Sequence, residues 1–385
     1  MTITATSMLF DLLYRSLAPK RKAAQGEELT AIGTPTRQQW LAVSDLALSN
    51  EVSGLVYDAI LTLPPHQQPD SDILMRWTAH TQGTERDNLL FRRELCTVLD
   101  HFAQCGLEPI ILKGLTLSEL YPNPLHRPVG DVDLYVTLDH QHRFVQALEQ
   151  LGATAQQGYD AKHISMQCRG MQWELHFRSI YFYNIYHDRR YQLLEREETA
   201  SDCLFHTDIE GHSVLVFPPR LQMVYLTAHF MHHLLVEQVT LRQVVDWMLA
   251  LHHDRTALAI GEVLFVRTLR ELGMYRLYRA MGYIAVHHLG FQADGYAGLT
   301  GLTKADARRG RLLLQVLILG HVPGCRPYAA QSPTDTLWQR VRHFAGLCHS
   351  CYVLMPLCPR EALSTPFGFL RHAWLRRRAE RQAAE

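Results

Sequence analysis

Two aspartates lie two positions apart in the stretch GDVDLYV, residues 130–136, whose other members favour β-strands. Alternate residues of a strand point to the same side, so Asp131 and Asp133 share one face. Two carboxylates held close together repel each other unless a cation neutralises them. Hard divalent cations such as Mg²⁺ prefer carboxylate oxygens and can hold both ends of a phosphoryl transfer. The pattern therefore indicates a metal site, or a solvated edge strand, where charged residues are common.

A third carboxylate lies in MQWELHF, residues 171–177, where large apolar and polar residues alternate as in a strand. Glu174 and His176 share one face of this strand, and the other face is apolar. We expect Glu174 to meet Asp131 and Asp133 in one cleft, where the three acids can share one or two metal ions.

A phosphate-binding layout precedes the aspartates, because the apolar segment PIIL leads through Lys113 and Gly114 into the short helical stretch LTLSELYP. Glycine allows close approach to the backbone, and a helix N-terminus presents N–H groups to an anion. Lys113, Thr116 and Ser118 would add side-chain contacts, and Arg127 would reach a phosphate from the following loop. A solvent-facing lysine before an ordinary turn glycine remains the alternative.

The elements that position these residues fall into three regions. Residues 1–99 are predicted to be helical, with one helix over 37–61 and a second over 73–105 that ends at Gly106. Residues 100–218 mix strands and helices, including a hairpin that turns at Glu210-Gly211. Residues 219–385 are helical again, and Pro219 suits a first helical position. The fold class is therefore α+β.

Bulk composition excludes several classes of function. Lys plus Arg equals Asp plus Glu, 38 each, so no global basic field favours nucleic acid as a partner. No apolar run is long enough to span a membrane, and no charged segment precedes the first apolar run as in a signal peptide. The eight cysteines are scattered. We expect a cytoplasmic protein with free thiols.

The single CHSC motif at Cys348 and Cys351 lacks the second pair that a structural zinc site usually needs. Because its surroundings are apolar and helical, we interpret these cysteines as buried helix residues, with a metal or redox site as the alternative.

A group of histidines lies at helical spacing in HFMHHLLVE, where His229, His232, His233 and Glu237 share one side of a helix. The segment lacks the glutamate placement of a zinc-binding HExxH motif. A role facing the nucleotide or supporting the metal ligands, ordinary packing and a metal site all remain open.

Four further residues have two interpretations each. Asp246 either holds its helix against the active site or is a surface acid. Tyr181, Tyr183 and Tyr186 either line a pocket for an acceptor or base, or pack in the core.

The order LKG, Arg127, DVDLYV, WELHF resembles the nucleotidyltransferase superfamily related to DNA polymerase β. It resembles more closely an uncharacterised nucleotidyltransferase-like family, found mostly in bacteria, whose typical forms are LKG, an arginine with DiDllv, and ELH. The resemblance covers about residues 35–250. It implies a small mixed-sheet nucleotidyltransferase core flanked by N-terminal and C-terminal helical regions.

The resemblance also implies roles for individual residues. Gly114 takes the triphosphate-loop role, Asp131 and Asp133 bind the metal, and Glu174 is the third acid and a base for the acceptor hydroxyl. The superfamily's usual loop carries Gly-Ser or Gly-Gly, whereas Lys113-Gly114-Leu115 stands here, as the closer family has it. We also expect the side chains of His176, His229 and His233 to lie behind these residues and to support them.

The expected function is a nucleotidyltransferase that uses Mg²⁺ or Mn²⁺, takes an NTP as substrate and releases pyrophosphate. The acceptor is a small molecule, a peptide or a protein. A non-catalytic nucleotide-binding or scaffold protein on the same fold, and a kinase-like phosphotransferase, are the alternatives.

Overall fold

A computed structural model of the chain describes residues 4–17, 33–137, 139–155, 162–200, 204–325 and 336–384. Its N-terminal part is helical, as predicted. The helices are α1 (Ala5–Leu17), α2 (Arg37–Ser49), α3 (Ser53–Leu61) and α4 (Ser71–Gln104).

The single helix predicted over residues 37–61 is wrong, because the chain breaks between α2 and α3. Glu51 has a φ of 57°, in the left-handed region. The break allows Asn50 to accept hydrogen bonds at its side chain and carbonyl from the N–H groups of Leu241 and Arg242, at 3.1 and 3.2 Å. The apolar residues keep their helical spacing across the break. The helix nevertheless ends there, because Asn50 forms these hydrogen bonds with the N-terminus of a distant helix.

A mixed seven-stranded sheet forms the centre. Its strands are β1 (Ile110–Ile111), β2 (Asp131–Tyr135), β3 (Thr154–Ala155), β4 (His163–Cys168), β5 (Met171–His176), β6 (Phe205–Ile209) and β7 (His212–Val216). Their order is β3-β4-β5-β2-β1-β7-β6. The β2/β5 and β1/β7 pairs are parallel and the others antiparallel. The α+β class is confirmed, whereas β3 and β4 were not predicted.

Two hairpins close with two-residue turns whose residues both have positive φ. The predicted turn at Glu210-Gly211 is confirmed, with φ of 53° and 81°. The other, Arg169-Gly170, joins β4 to β5 with φ of 52° and 76°. Such turns match the twist of the flanking strands and hold their register. The second hairpin therefore fixes which residues of β4 face β5.

One face of the sheet is apolar and packs on α4 and on α6 (Gln141–Gln150). Trp173 is fully buried there, with ring centroids 6.2 Å from Phe102 of α4. Val132 and Leu134 of β2 belong to the same core. The alternating polar residues of β2 and β5 must therefore lie on the opposite face.

The remaining helices are α5 (Leu115–Ser118), α7 (Ile185–Glu198), α8 (Pro219–Val236), α9 (Leu241–His253), α10 (Arg255–Ile260), α11 (Glu262–Glu271), α12 (Tyr275–His288), α13 (Lys304–Leu319), α14 (Leu337–Leu354) and α15 (Pro359–Ala384). Helix α8 begins at Pro219 as predicted. The N-terminal and C-terminal helices share one core, which includes Trp40, Leu55 and Trp247. The predicted division at 99/100 and 218/219 stays a prediction.

The loop after β5 is anchored by Glu195 of α7. The Ser179 N–H donates to Glu195 Oε1 at 3.0 Å, and the Ser179 hydroxyl contacts the same oxygen. The Tyr191 hydroxyl lies 2.7 Å from the Ser179 hydroxyl. Burial raises the pKa of Glu195 to about 7, although the bonds from Ser179 act in the opposite direction.

We predict that Glu195→Gln stabilises the protein above pH 7 but not near pH 5. Glu195 has a pKa of about 7 when folded and an ordinary value of 4.5. The folded state therefore binds the proton more tightly, and stability falls as pH rises through that window. Glutamine keeps an acceptor oxygen and cannot ionise, so the gain at pH 8 is at most about 3 kcal/mol.

Urea unfolding at pH 5 and pH 8 measures the difference. Glu197→Gln, an exposed position on the same helix, is the matched control and should change little at either pH. An equal effect of Glu195→Gln at both pH values would contradict the prediction.

Candidate metal centre and adjoining cleft

The three acids predicted to meet in one cleft do form one cluster, but only Asp131 also lines the cleft described below. Strands β2 and β5 are parallel neighbours with Asp133 directly opposite Glu174. Asp131 lies two residues earlier on the same face of β2. One carboxylate oxygen from each of the three residues lies within 4.8 Å of the other two. The strand register therefore produces a cluster of oxygen ligands.

Lys113 stands beside this cluster because β1 pairs with β2, and the Leu112 N–H donates to the Asp133 carbonyl at 3.0 Å. The Lys113 ammonium lies 2.5 Å from Asp133 Oδ2 and 3.4 Å from Asp131 Oδ2. Burial alone would lower the pKa of Lys113, but the charges of Asp133 and Asp131 outweigh it and raise the pKa. Lys113 is therefore a fixed positive charge between the two aspartates.

His176 contacts the cluster from the other side. Its Nε2 lies 2.9 Å from Asp133 Oδ1 and 3.2 Å from Glu174 Oε2. Burial alone would lower the pKa of His176, but its hydrogen bonds to Asp133 and Glu174 raise it. Burial would likewise raise the pKa of Asp133, yet Lys113 and His176 hold it well below its usual range. The buried Asp133 is thus an anion held between the Lys113 ammonium and the His176 imidazole.

This arrangement fits a divalent metal ion. Asp131, Asp133 and Glu174 offer three hard oxygen ligands, the type that Mg²⁺ and Mn²⁺ accept. The Lys113 ammonium already lies between the carboxylates of Asp131 and Asp133, where a metal ion would also neutralise them. The three acids therefore meet the requirements for a metal centre, and their chemistry alone does not select the ion.

A second group that can hold a metal consists of His163, Glu174 and His176. His163 was missed in the sequence. It lies on β4 directly opposite His176 of β5, with ring centroids 4.9 Å apart. The signal that would have found it is the Arg169-Gly170 turn, because a two-residue hairpin fixes the pairing of the strands on either side.

A cavity of about 310 Å³ adjoins Asp131. It is lined by Glu51, Lys113, Gly114, Leu117, Arg127, Pro128, Val129, Gly130, Asp131, Leu226, His229, Phe230, Arg242, Gln243 and Asp246. These residues come from the α2–α3 break, the polar face of the sheet with its loops, and helices α8 and α9. We call this cavity the cleft.

Arg127 was expected to reach a phosphate, but its guanidinium is held by Asp246. Its Nε and Nη2 donate to the two Asp246 oxygens, both at 2.8 Å, and the Tyr121 hydroxyl donates to Asp246 Oδ1 at 2.7 Å. Burial alone would raise the pKa of Asp246, but Arg127 outweighs it and the pKa is lowered. Asp246 is only 5% exposed, so the surface-acid interpretation is wrong. The ion pair between Arg127 and Asp246 forms a buried part of the cleft wall.

Of the predicted phosphate-binding group, Gly114 and Lys113 line the cleft, but Ser118 and Thr116 do not. Ser118 is fully buried; its hydroxyl donates to the Leu115 carbonyl at 2.7 Å and accepts from Arg92 at 3.3 Å. The Thr116 hydroxyl oxygen is also buried. Both hydroxyl groups are thus buried away from the cleft, and the phosphate contacts expected of them stay a prediction.

Gly114 has a φ of 78°, which disfavours any other residue. A Cβ at this position would lie 3.5 Å from the Asp131 carbonyl oxygen. The glycine therefore supplies the turn that brings Lys113 back toward the aspartates.

Of the α8 histidines, His229 lines the cleft. Burial lowers its pKa well below the usual value, so it is neutral. Its Nε2 lies 3.1 Å from His233 Nε2, and His233 Nδ1 lies 2.5 Å from Glu237. Among the described residues, the groups able to hold a metal do not include these histidines.

The aromatic residues that follow β5 pack against α8. His232 stacks on Tyr183 with centroids 5.8 Å apart, and Tyr181 contacts His232 at 5.0 Å. None of the three lines the cleft, and Tyr186 is exposed on α7. Packing is thus the interpretation that the structure favours for Tyr181 and Tyr183.

The CHSC motif lies on α14, as predicted for a helix. Cys351 is buried, which raises the pKa of its thiol to about 12. The described cysteines are free thiols, and Cys203 lies outside the described residues. The buried-cysteine interpretation fits Cys351, whereas Cys348 is partly exposed.

A model of the family described as "Uncharacterised nucleotidyltransferase" matches residues 36–290. The chain belongs to this family. The match includes the three acids, Lys113 and every residue that lines the cleft. No curated protein and no solved structure matches the chain significantly. In the described part of this family member, no helix has the length and apolar character needed to cross a lipid bilayer.

We predict that Asp246→Ala destabilises the protein by about 3–5 kcal/mol, because it leaves the Arg127 guanidinium buried without a partner. Arg242→Ala is the matched control, since Arg242 contacts Asp246 at 3.3 Å but is partly exposed. Its loss should cost at most about 1 kcal/mol. Urea unfolding of both variants measures the free energy of unfolding. Equal losses in the two variants would show that stability does not depend on the Arg127–Asp246 ion pair.

Proposed function

We propose that the protein is a metal-dependent nucleotidyltransferase. It transfers a nucleoside monophosphate from an NTP to a hydroxyl or phosphate group of an acceptor and releases pyrophosphate. The observation that carries the proposal is the cluster of Asp131, Asp133 and Glu174 beside a cleft that Lys113 and Gly114 line, in a chain of a nucleotidyltransferase family.

Asp131, Asp133 and Glu174 would hold Mg²⁺ or Mn²⁺. When bound, such an ion neutralises the charge that develops on the phosphoryl oxygens during displacement. Glu174 is well suited to a second task. Burial would raise its pKa, but the hydrogen bond from His176 outweighs burial and lowers the pKa, so Glu174 is ionised and can accept a proton.

The proposed reaction is an in-line displacement. The acceptor oxygen forms a bond to the α-phosphorus of the NTP, the bond to the bridging oxygen of pyrophosphate breaks, and a hydroxyl acceptor gives its proton to Glu174. The protein contributes positioning and charge, because phosphoryl transfer requires little covalent chemistry from it.

Lys113 has two possible partners in this scheme. With no other cation it pairs with Asp131 and Asp133. Its ammonium also borders the cleft, where it would contact the triphosphate. Arg127 would support the wall through its buried ion pair with Asp246, and Gly114 would allow close approach to the backbone.

The proposed partners are an NTP and an acceptor that is a small molecule, a peptide or a protein. The balanced charge of the chain, 38 basic against 38 acidic residues, does not favour nucleic acid. The free thiols fit the reducing cytoplasm.

We predict that Asp133→Asn lowers pyrophosphate release by at least about a thousandfold while the melting curve still shows a folded protein, because a metal anchor is lost. The assay incubates each labelled NTP with Mg²⁺ or Mn²⁺ and follows pyrophosphate and label on the protein or on candidate acceptors. Asp139→Asn, an exposed acid beyond the end of β2, is the matched control and should retain activity.

Three other outcomes have distinct meanings. Unchanged turnover in a folded Asp133→Asn variant would eliminate the metal role. Nucleotide binding without pyrophosphate release would identify a non-catalytic binding protein. Release of a nucleoside diphosphate instead of pyrophosphate would identify a kinase-like phosphotransferase.

We predict that Lys113→Ala weakens binding of a non-hydrolysable NTP with Mg²⁺ by about 1.5–3 kcal/mol, because one charge-assisted contact is lost. The same variant should bind the metal alone more tightly, since the ammonium no longer competes for the aspartates. Gly114→Val should also weaken nucleotide binding, because valine cannot easily adopt a φ of 78°. Calorimetric titration measures all three.

Lys304→Ala, an exposed lysine on α13, is the control and should bind both ligands normally. If wild type and both cleft variants bound the nucleotide equally, the triphosphate would have to lie elsewhere.

A further inference from the structure

We infer that His163, His176 and Glu174 form a second metal position, which takes a transition-metal ion such as Zn²⁺ or Fe²⁺ rather than Mg²⁺. The inference stands on the positions of the ligand atoms and does not depend on the proposed reaction. One ligand atom from each of these residues lies within 4.8 Å of the other two.

The distances between these atoms suit ligands of one ion. His163 Nδ1 lies 3.7 Å and His176 Nε2 3.2 Å from Glu174 Oε2. Two ligands at the usual metal–nitrogen distance of about 2.0–2.1 Å are separated by about 2.9 Å in octahedral and about 3.4 Å in tetrahedral geometry. The 3.7 Å between His163 Nδ1 and Glu174 Oε2 is longer than a hydrogen bond. It exceeds the tetrahedral separation by only a few tenths of an ångström, so a small movement of one side chain would let both atoms bind the same ion.

The ligand set is two imidazole nitrogens and one carboxylate oxygen. Three protein ligands leave a coordination position for water. Asp133 lies next to this set, because its Oδ1 is 2.9 Å from His176 Nε2, whereas the Lys113 ammonium contacts its other oxygen, Oδ2. The two metal positions share Glu174.

The fold builds this position rigidly. Pairing of β4 with β5 places His163 directly opposite His176, and the Arg169-Gly170 turn fixes that register. His176 is 2% exposed and the Glu174 side chain 16%. Ligands held by two adjacent strands lose little further freedom when an ion binds, which favours affinity.

The donor atoms select the class of ion. Mg²⁺ prefers oxygen and keeps several waters, whereas imidazole suits Zn²⁺, Cu²⁺, Fe²⁺ and Ni²⁺. The position formed by Asp131, Asp133 and Glu174 contains oxygen only. The two positions should therefore differ in metal preference, although they lie side by side.

The test titrates metal-free protein with Co²⁺ in the presence of excess Mg²⁺. The visible absorption of Co²⁺ is strong when the ion has four ligands and weak when six oxygen ligands surround it. Wild type should bind Co²⁺ with the strong absorption. His163→Ala should bind it at least about tenfold more weakly, the usual effect of losing part of a metal's ligand environment. Asp131→Asn should keep the absorption, because Asp131 belongs only to the oxygen position, and the exposed His206→Ala should match wild type.

A second measurement is pulsed electron paramagnetic resonance of protein that contains one equivalent of Cu²⁺ and excess Mg²⁺. Wild type should show coupling of the ion to two imidazole ¹⁴N nuclei, and His163→Ala should show coupling to one. Absence of that coupling, displacement of Co²⁺ by equimolar Mg²⁺, or an unchanged Co²⁺ spectrum in folded His163→Ala would each overturn the inference. In that last case the histidines would only be hydrogen-bond partners of the acids. None of these readouts involves turnover, so failure of the proposed reaction would be seen separately.

Discussion

The structure of the site depends on neutralising one buried carboxylate. An unpaired charge in the position of Asp133, with a side chain that is 2% exposed, would cost several kcal/mol. Strand β2 lies between β5 and β1 in the sheet, and each neighbour brings one partner for the carboxylate, the His176 imidazole from β5 and the Lys113 ammonium from the end of β1. The mixed sheet, with one parallel and one antiparallel neighbour, thus provides both partners of Asp133.

A second set of ion pairs builds the walls around this centre. Arg127 and Asp246 join the loop before β2 to α9, and Arg242 joins α9 to Glu51 in the α2–α3 break, at 2.9 Å. Burial would raise the pKa of Glu51, but Arg242 outweighs it and lowers the pKa. The cleft is therefore held by fixed charges of both signs, which suits a ligand that carries its own charge and its own metal ion.

Strand alternation was enough to predict that Asp131, Asp133 and Glu174 share one face of the sheet, because alternate residues of a strand point to the same side. Val132 and Trp173, which lie between polar residues in the sequence, pack in the core on the opposite face. The resemblance to a family added the order of the motifs. Ser118 was expected to face a phosphate but is buried. A helix of one turn is too short for the sequence to show, by its periodicity, which side chains face the interior. His163 and the break at Glu51 depend on contacts between distant segments, which local patterns do not encode.

The helix break has a consequence for how the chain is made. Asn50 and Glu51 contact residues of α9 that lie 191 positions later in the sequence. At about 5–20 residues per second, a ribosome needs roughly 10–40 s to cover that distance. The last of the three acids, Glu174, lies 67 positions before Leu241. For roughly 3–13 s of this interval the nascent chain therefore contains Asp131, Asp133 and Glu174 but lacks the wall that α9 provides. The carboxylates are then accessible to ions of the surrounding solution before the wall is in place.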